Sequence, residues 1–164
     1  MGKRLRLKAG DIFAFDVDQD RCGLGQVIEP GAVFLTTILQ KAYPRDVALS
    51  EVDHSDILLT GWTMDGRIRH DFWRVIGNLP VPGNIPRPCS KVRIGSEFWV
   101  QDYRAKPIRK ASRLEAEQLD LHSSMSPMSF ETAFRAHHGL AEWNKAYDKI
   151  TLGYRLSQAG LCEA

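Results

Sequence analysis

The chain reads as mainly β with α, an α+β fold in which a small twisted antiparallel sheet or SH3-like barrel carries a C-terminal helix packed on it. Three observations predict this. Short β-branched and aromatic runs recur through the first part of the chain, each closed by Gly, Pro or Asp-Gly. The 164 residues include 13 Gly and 8 Pro, which favours many turns over long helices. A late stretch sets apolar residues at helical steps, from Phe130 and Phe134 through His137 to Tyr147.

The first run is KAGDIFAFDVDQDRCGLGQVIEPG, residues 8–31. Ile12, Ala14 and Asp16 alternate with Phe13, Phe15 and Val17, polar residues intervene, and Gly25 to Ile28 follow, the pattern of a hairpin. Gly23 and Gly25 suit a bulge or a close backbone approach in the returning strand. Glu29-Pro30-Gly31 marks a turn, and the apolar run from Ala32 to Leu39 reads as a third strand. Tyr43 to Asp56, broken by Pro44, reads as an irregular acidic connection. Ile57 to Thr63 and Phe72 to Gly77 are the next strands, separated by the Asp65-Gly66 turn. Trp62 and Trp73, on either side of that turn, read as core or cross-strand partners.

From Asn78 to Pro88, Pro80, Pro82, Pro86 and Pro88 impose a stiff extended connection. Ser96 to Tyr103 resumes strand alternation, and the charged stretch Arg104 to Leu121 leaves room for a short helix. Ser126-Pro127 and Ser129 supply start signals for a helix over about 127–148, with Gly139 weakening it by about 1 kcal/mol without ending it. The expected organisation is a β-rich region over 1–103 and a C-terminal extension over 104–164 packed on the same domain.

With 43% apolar and 26% charged residues the composition is that of a globular protein, which excludes disordered and collagen-like classes. A net charge of +2 does not by itself announce a nucleic-acid binder. Cys22, Cys89 and Cys162 are odd in number and far apart, arguing against a zinc site or a disulfide framework. The basic start MGKRLRLK lacks the apolar region of a signal peptide, and no stretch has the length of a membrane span. A reducing cytoplasm is the expected setting, with no cofactor and no metal.

Asp16, Asp18 and Asp20 copy the first half of a calcium loop. The glycine needed at its sixth position is Arg21 and the glutamate needed at its twelfth is Val27, so the loop cannot wrap an ion. Gly23-Leu24-Gly25 is not a dinucleotide fingerprint, since Ile28 replaces the third glycine and no helix follows. His137 and His138 point about 100° apart on a helix and cannot clamp one metal together, leaving His137 partly buried and His138 solvated. No serine sits in a nucleophile elbow, and no enzyme activity is expected. The segment 87–113 mixes cations with Phe98, Trp99 and Tyr103, a combination that could bind RNA; aromatics turned to the core and cations protecting an edge strand is the favoured alternative.

Taken in order, the lysine before Gly10-Asp11-Ile12-Phe13-Ala14, then Gly23 to Ile28, Gly61-Trp62, and Trp73 to Pro80 resemble the immunity protein 26 family of bacterial polymorphic toxin systems, over roughly residues 7–100. The resemblance implies an antitoxin that binds one cognate toxin domain without catalysis, and it transfers no catalytic residues. If that toxin is a nuclease with a basic cleft, the acidic loop of Asp46, Glu51, Asp53 and Asp56 is the first expected contact, joined by Asp16, Asp18 and Asp20. The tail from about Arg104 lies outside the resemblance.

Overall fold

A computed structural model describes residues 6–163, so the first five residues of the basic start, MGKRL, lie outside the described residues. The fold is α+β, with two antiparallel sheets and several helices. Two compact units divide it, 1–83 with 124–150, and 84–123 with 151–164.

The first unit holds β1 (Asp11–Asp16), β2 (Arg21–Glu29), β3 (Val33–Leu39), β4 (Tyr43–Pro44), β5 (Ile57–Met64) and β6 (Arg74–Asn78). Their order is β5-β3-β2-β1-β6, with β4 pairing on β2. Among the described residues β5 and β6 remain edges, so the sheet is not the closed barrel entertained from the sequence. The Asp65-Gly66 dipeptide opens a single helical turn, α1 (Gly66–Arg69), before β6.

Both faces of this sheet are covered, which is why β1 is buried from Asp11 to Phe15. Phe13 and Phe15 point to one face and pack with Phe34, Trp73, Phe130 and Phe134; Ile12 and Ala14 point to the other with Leu24, Tyr43 and Val52. Trp73 stacks on Phe13 with centroids 4.5 Å apart, and Trp62 lies across from Leu35, the core and cross-strand roles expected of them. Space for the rings comes from β2, where a Cβ on Gly23 would stand 2.2 Å from Phe15 and one on Gly25 would stand 2.3 Å from Phe13.

The next helix along the chain, α2 (Arg113–Gln118), belongs to the second unit. The helix that covers the first face is α3 (Pro127–His137), capped by Ser126 and started by Pro127. It is shorter than the 127–148 expected. Gly139 adopts φ +75°, and the N–H groups of Gly139 and Leu140 donate back to Ala136 and Arg135, a Schellman stop available to glycine without steric cost. A 3-10 turn at Lys145–Ile150 follows. The stop also inverts the histidine expectation: His137 is exposed, whereas the His138 ring lies 4.4 Å from Phe134 with Nε2 2.8 Å from the Gln40 carbonyl.

The second unit contains β7 (Ser90–Ile94), β8 (Glu97–Gln101) and β9 (Pro107–Lys110), then α2 and α4 (Leu152–Glu163). Gly95, at φ +62°, makes the tight β7–β8 turn. Ser112 and Glu115 form a reciprocal capping box at the start of α2. Cys89 and Cys162 are joined across a separation of 73 residues, correcting the expectation that the cysteines stand apart. Distance along the chain concealed the pairing, because α4 returns to the unit after 124–150 have joined the other.

Candidate functional site

The two acidic segments meet at one end of the first sheet. Pairing of Arg21 with Pro44 and of Cys22 with Tyr43 sets β4 beside the start of β2, and the Arg45 N–H donates to the Asp20 carbonyl at 3.2 Å. The β1–β2 turn and the 43–56 segment thereby form a continuous surface. The latter also contributes to the core, since Tyr43, Val47, Leu49 and Val52 cover the second face of the sheet. Its acids Asp46, Glu51 and Asp53 remain exposed, and Asp56 is half-buried.

The seven acids differ in how far they are already neutralised. Asp16 contacts Arg45 at 2.6 Å and Arg74 at 3.1 Å, and these guanidinium groups hold its carboxyl below the usual range. Asp18 pairs with Arg21 at 2.8 Å and accepts the N–H groups of Asp20 and Arg21, so it closes the turn. That hydrogen bonding to Arg21 and the turn lowers its pKa. Asp53 accepts from the Ser55 hydroxyl and N–H, which lowers its pKa while leaving it negative. Asp20, Asp46 and Glu51 are exposed acids without a cation at salt-bridge distance among the described residues. The surface is therefore a mixed rim in which arginines fix Asp16 and Asp18 and leave outward charge on the others. The arginines are what reading the acids alone missed, since Arg74 stands 58 residues from Asp16.

No group of three or more His, Cys, Asp or Glu among the described residues could hold a metal. A cleft of about 500 Å³ lies towards the opposite end, lined by Leu7, Pro30 and Ala32 with Arg6, Asp65 and Arg69, a set without a nucleophile–base pair. None of the described helices is long and apolar enough to cross a membrane.

The segment 87–113 gives the RNA reading no support. Arg109 makes a bidentate contact with Glu115, Lys110 pairs with Glu97, Arg113 pairs with Glu117, and the Lys91 ammonium donates to the Ala116 carbonyl at 2.6 Å. The Phe98 ring lies under Lys91, and Tyr103 under Arg87 and Arg104. The chain's own cations thus already lie against the Phe98 and Tyr103 rings on which a base would stack.

Several residues that carry the family resemblance, Gly10, Asp11, Gln26, Asn78 and Leu79, meet elsewhere, in a hydrogen-bonded knot. The buried Gln26 amide donates to Leu79 O at 2.9 Å and Gly10 O at 3.3 Å. Asn78 donates to Ala9 O and to Asp11 Oδ1, each at 3.0 Å, while Asp11 Oδ2 accepts the Lys8 N–H at 2.8 Å. Gly10 holds φ +92°, and a Cβ there would stand 2.4 Å from Leu79 O. These residues join the start of β1 to the end of β6 and have structural duties.

A family model described as immunity protein 26 matches residues 8–98, more than half of the 164-residue chain. No curated protein and no solved structure matches it. The match begins in the knot at Lys8, runs through every strand of the first sheet and reaches β8: the chain belongs to the immunity protein 26 family.

Proposed function

We propose that this chain protects a bacterial cell by binding a cognate toxin domain in the cytoplasm and blocking it without catalysis. Membership of the immunity protein 26 family carries this reading. The proposed contact is the rim formed where the β1–β2 turn meets the 43–56 segment, with Asp20, Asp46, Glu51, Asp53 and Asp56 facing a basic patch of the toxin and Asp16 and Asp18 holding the rim in shape. Its support is the pairing of β4 on β2, which joins two acidic segments separated in sequence. Charge complementarity of this kind speeds encounter and selects the partner.

The test is co-expression with the toxin domain encoded beside it, scored by survival and followed by pull-down. Survival with a stable complex is the expected result. Death of the cells and no complex, with both proteins folded, would remove the toxin-binding reading for that pair.

A further inference from the structure

We infer that Cys89 and Cys162 form a reversible thiol–disulfide exchange site, open to small thiols such as glutathione, that locks the last turn of α4. This inference does not depend on toxin binding. The two Cα atoms are 6.2 Å apart, a separation a disulfide spans without backbone movement. Their surroundings differ. Cys89 is 8% exposed and packs with Val100 and Leu119, whereas Cys162, packed against the same cluster, is only half-buried. A thiol from solvent therefore reaches the Cys162 sulfur first, and the shielded Cys89 acts as the resolving partner.

Opening begins when a glutathione thiolate attacks Cys162 Sγ; the bond to Cys89 breaks and Cys89 leaves as a thiolate that takes a proton. A second glutathione releases the Cys162 thiol and departs as glutathione disulfide. Closure is the reverse, with two electrons passing from the two cysteine thiols to glutathione disulfide and their protons ending on two glutathione thiols. The remaining cysteine, Cys22, is 1% exposed in the core and takes no part. In cytosolic proteins disulfides are mostly transient and redox-sensing, which suits a bridge of this form.

The bridge acts on one end of α4. Earlier in the helix, Gln158 accepts the Asp120 N–H and donates to the Gln118 carbonyl, and the Tyr154 hydroxyl donates to Asp120, so this part stays tethered without it. Beyond Gln158, the described anchors are Leu161 and the bridge.

The full chain is equilibrated with glutathione at oxidising and reducing ratios, acid-quenched, denatured and alkylated with iodoacetamide for mass spectrometry. Of the three cysteines, Cys22 alone is expected to be alkylated under oxidising ratios, with a linked Cys89–Cys162 peptide, and all three under reducing ratios. Alkylation of all three at oxidising ratios, or a Cys89–Cys162 bridge that survives the reducing ratios, would overturn the exchange site. Amide exchange of the two forms tests the lock: reduction is expected to accelerate residues 159–162 and to leave 154–158 nearly unchanged. Identical exchange over the whole helix would refute it. Both measurements use the unmodified chain, so no variant has to fold.

Discussion

Asp16 and Arg45 form an ion pair at 2.6 Å that ties the β1–β2 turn to the segment after β4. All participants, including Arg74, are exposed, so Asp16→Asn is expected to cost no more than about 1 kcal/mol in chemical denaturation. A loss well above that would show that the pair carries more of the fold than its exposure allows.

The outward acids are expected to behave differently from Asp16. Reversing Asp20, Asp46 and Glu51 to lysine should leave the melting temperature nearly unchanged and slow association with the toxin domain, most at low salt. Stopped-flow rates at two ionic strengths check this. Equal rates for variant and parent would move the contact surface elsewhere while leaving family membership intact.

Behind the sheet, Glu131 accepts the Trp73 indole N–H at 3.0 Å and pairs with Arg67 at 2.8 Å while only 7% exposed. Glu131→Ala strands a buried indole donor and a largely covered guanidinium, and we predict a loss of about 2–4 kcal/mol by urea unfolding. Glu131→Gln keeps an acceptor for Trp73 and should lose less. Equal losses from the two substitutions would mean that the indole bond contributes nothing.

Gly23→Ala is predicted to cost about 1–3 kcal/mol through overpacking against Phe15. Adding Phe15→Leu should recover part of that, giving a coupling of about 0.5–3 kcal/mol in a double-mutant cycle. Strict additivity would place the cost in the strand backbone instead.

Arg109 and the Ser112 N–H hold the buried Glu115 carboxyl down from 4.5 to about 2. A lowered folded pKa stabilises the fold above the unfolded pKa, and that contribution fades as pH falls through the folded one. The start of α2 should therefore stay intact at pH 4.5 and loosen towards pH 2. NMR titration of the Glu115 carboxyl checks the midpoint, which should rise in Arg109→Ala; a parent midpoint at 4.5 would contradict the contact.

Much of the first sheet was legible because its strands are apolar and each stops at a turn residue: Phe13 and Phe15 before the aspartate turn, Val33 to Leu39 after Pro30-Gly31. The second unit was harder to read. The β9 sequence Pro-Ile-Arg-Lys is exposed throughout, and α4 carries Gly153 and Gly160, which dilute a helical pattern. Gly139 was visible, but a helix-weakening glycine and a helix-ending one look alike until the backbone turns left-handed. At the candidate site the exposed acids could be found from composition. Their arginines could not, because β-pairing rather than sequence proximity brings Arg45 and Arg74 to Asp16.

The chain enters the second unit after Gly83, returns to the first at Ser124, and leaves it again after Ile150. On the ribosome, the strands of the first sheet therefore emerge long before Phe130 and Phe134 arrive to cover Phe13 and Phe15. The second unit waits in the same way for α4. The core between the sheet and α3 cannot close during most of translation, nor can that of the second unit, so a nascent chain halted before residue 124 would expose apolar surface from both, and chaperone capture of such stalled chains should decline only once α3 has cleared the exit tunnel.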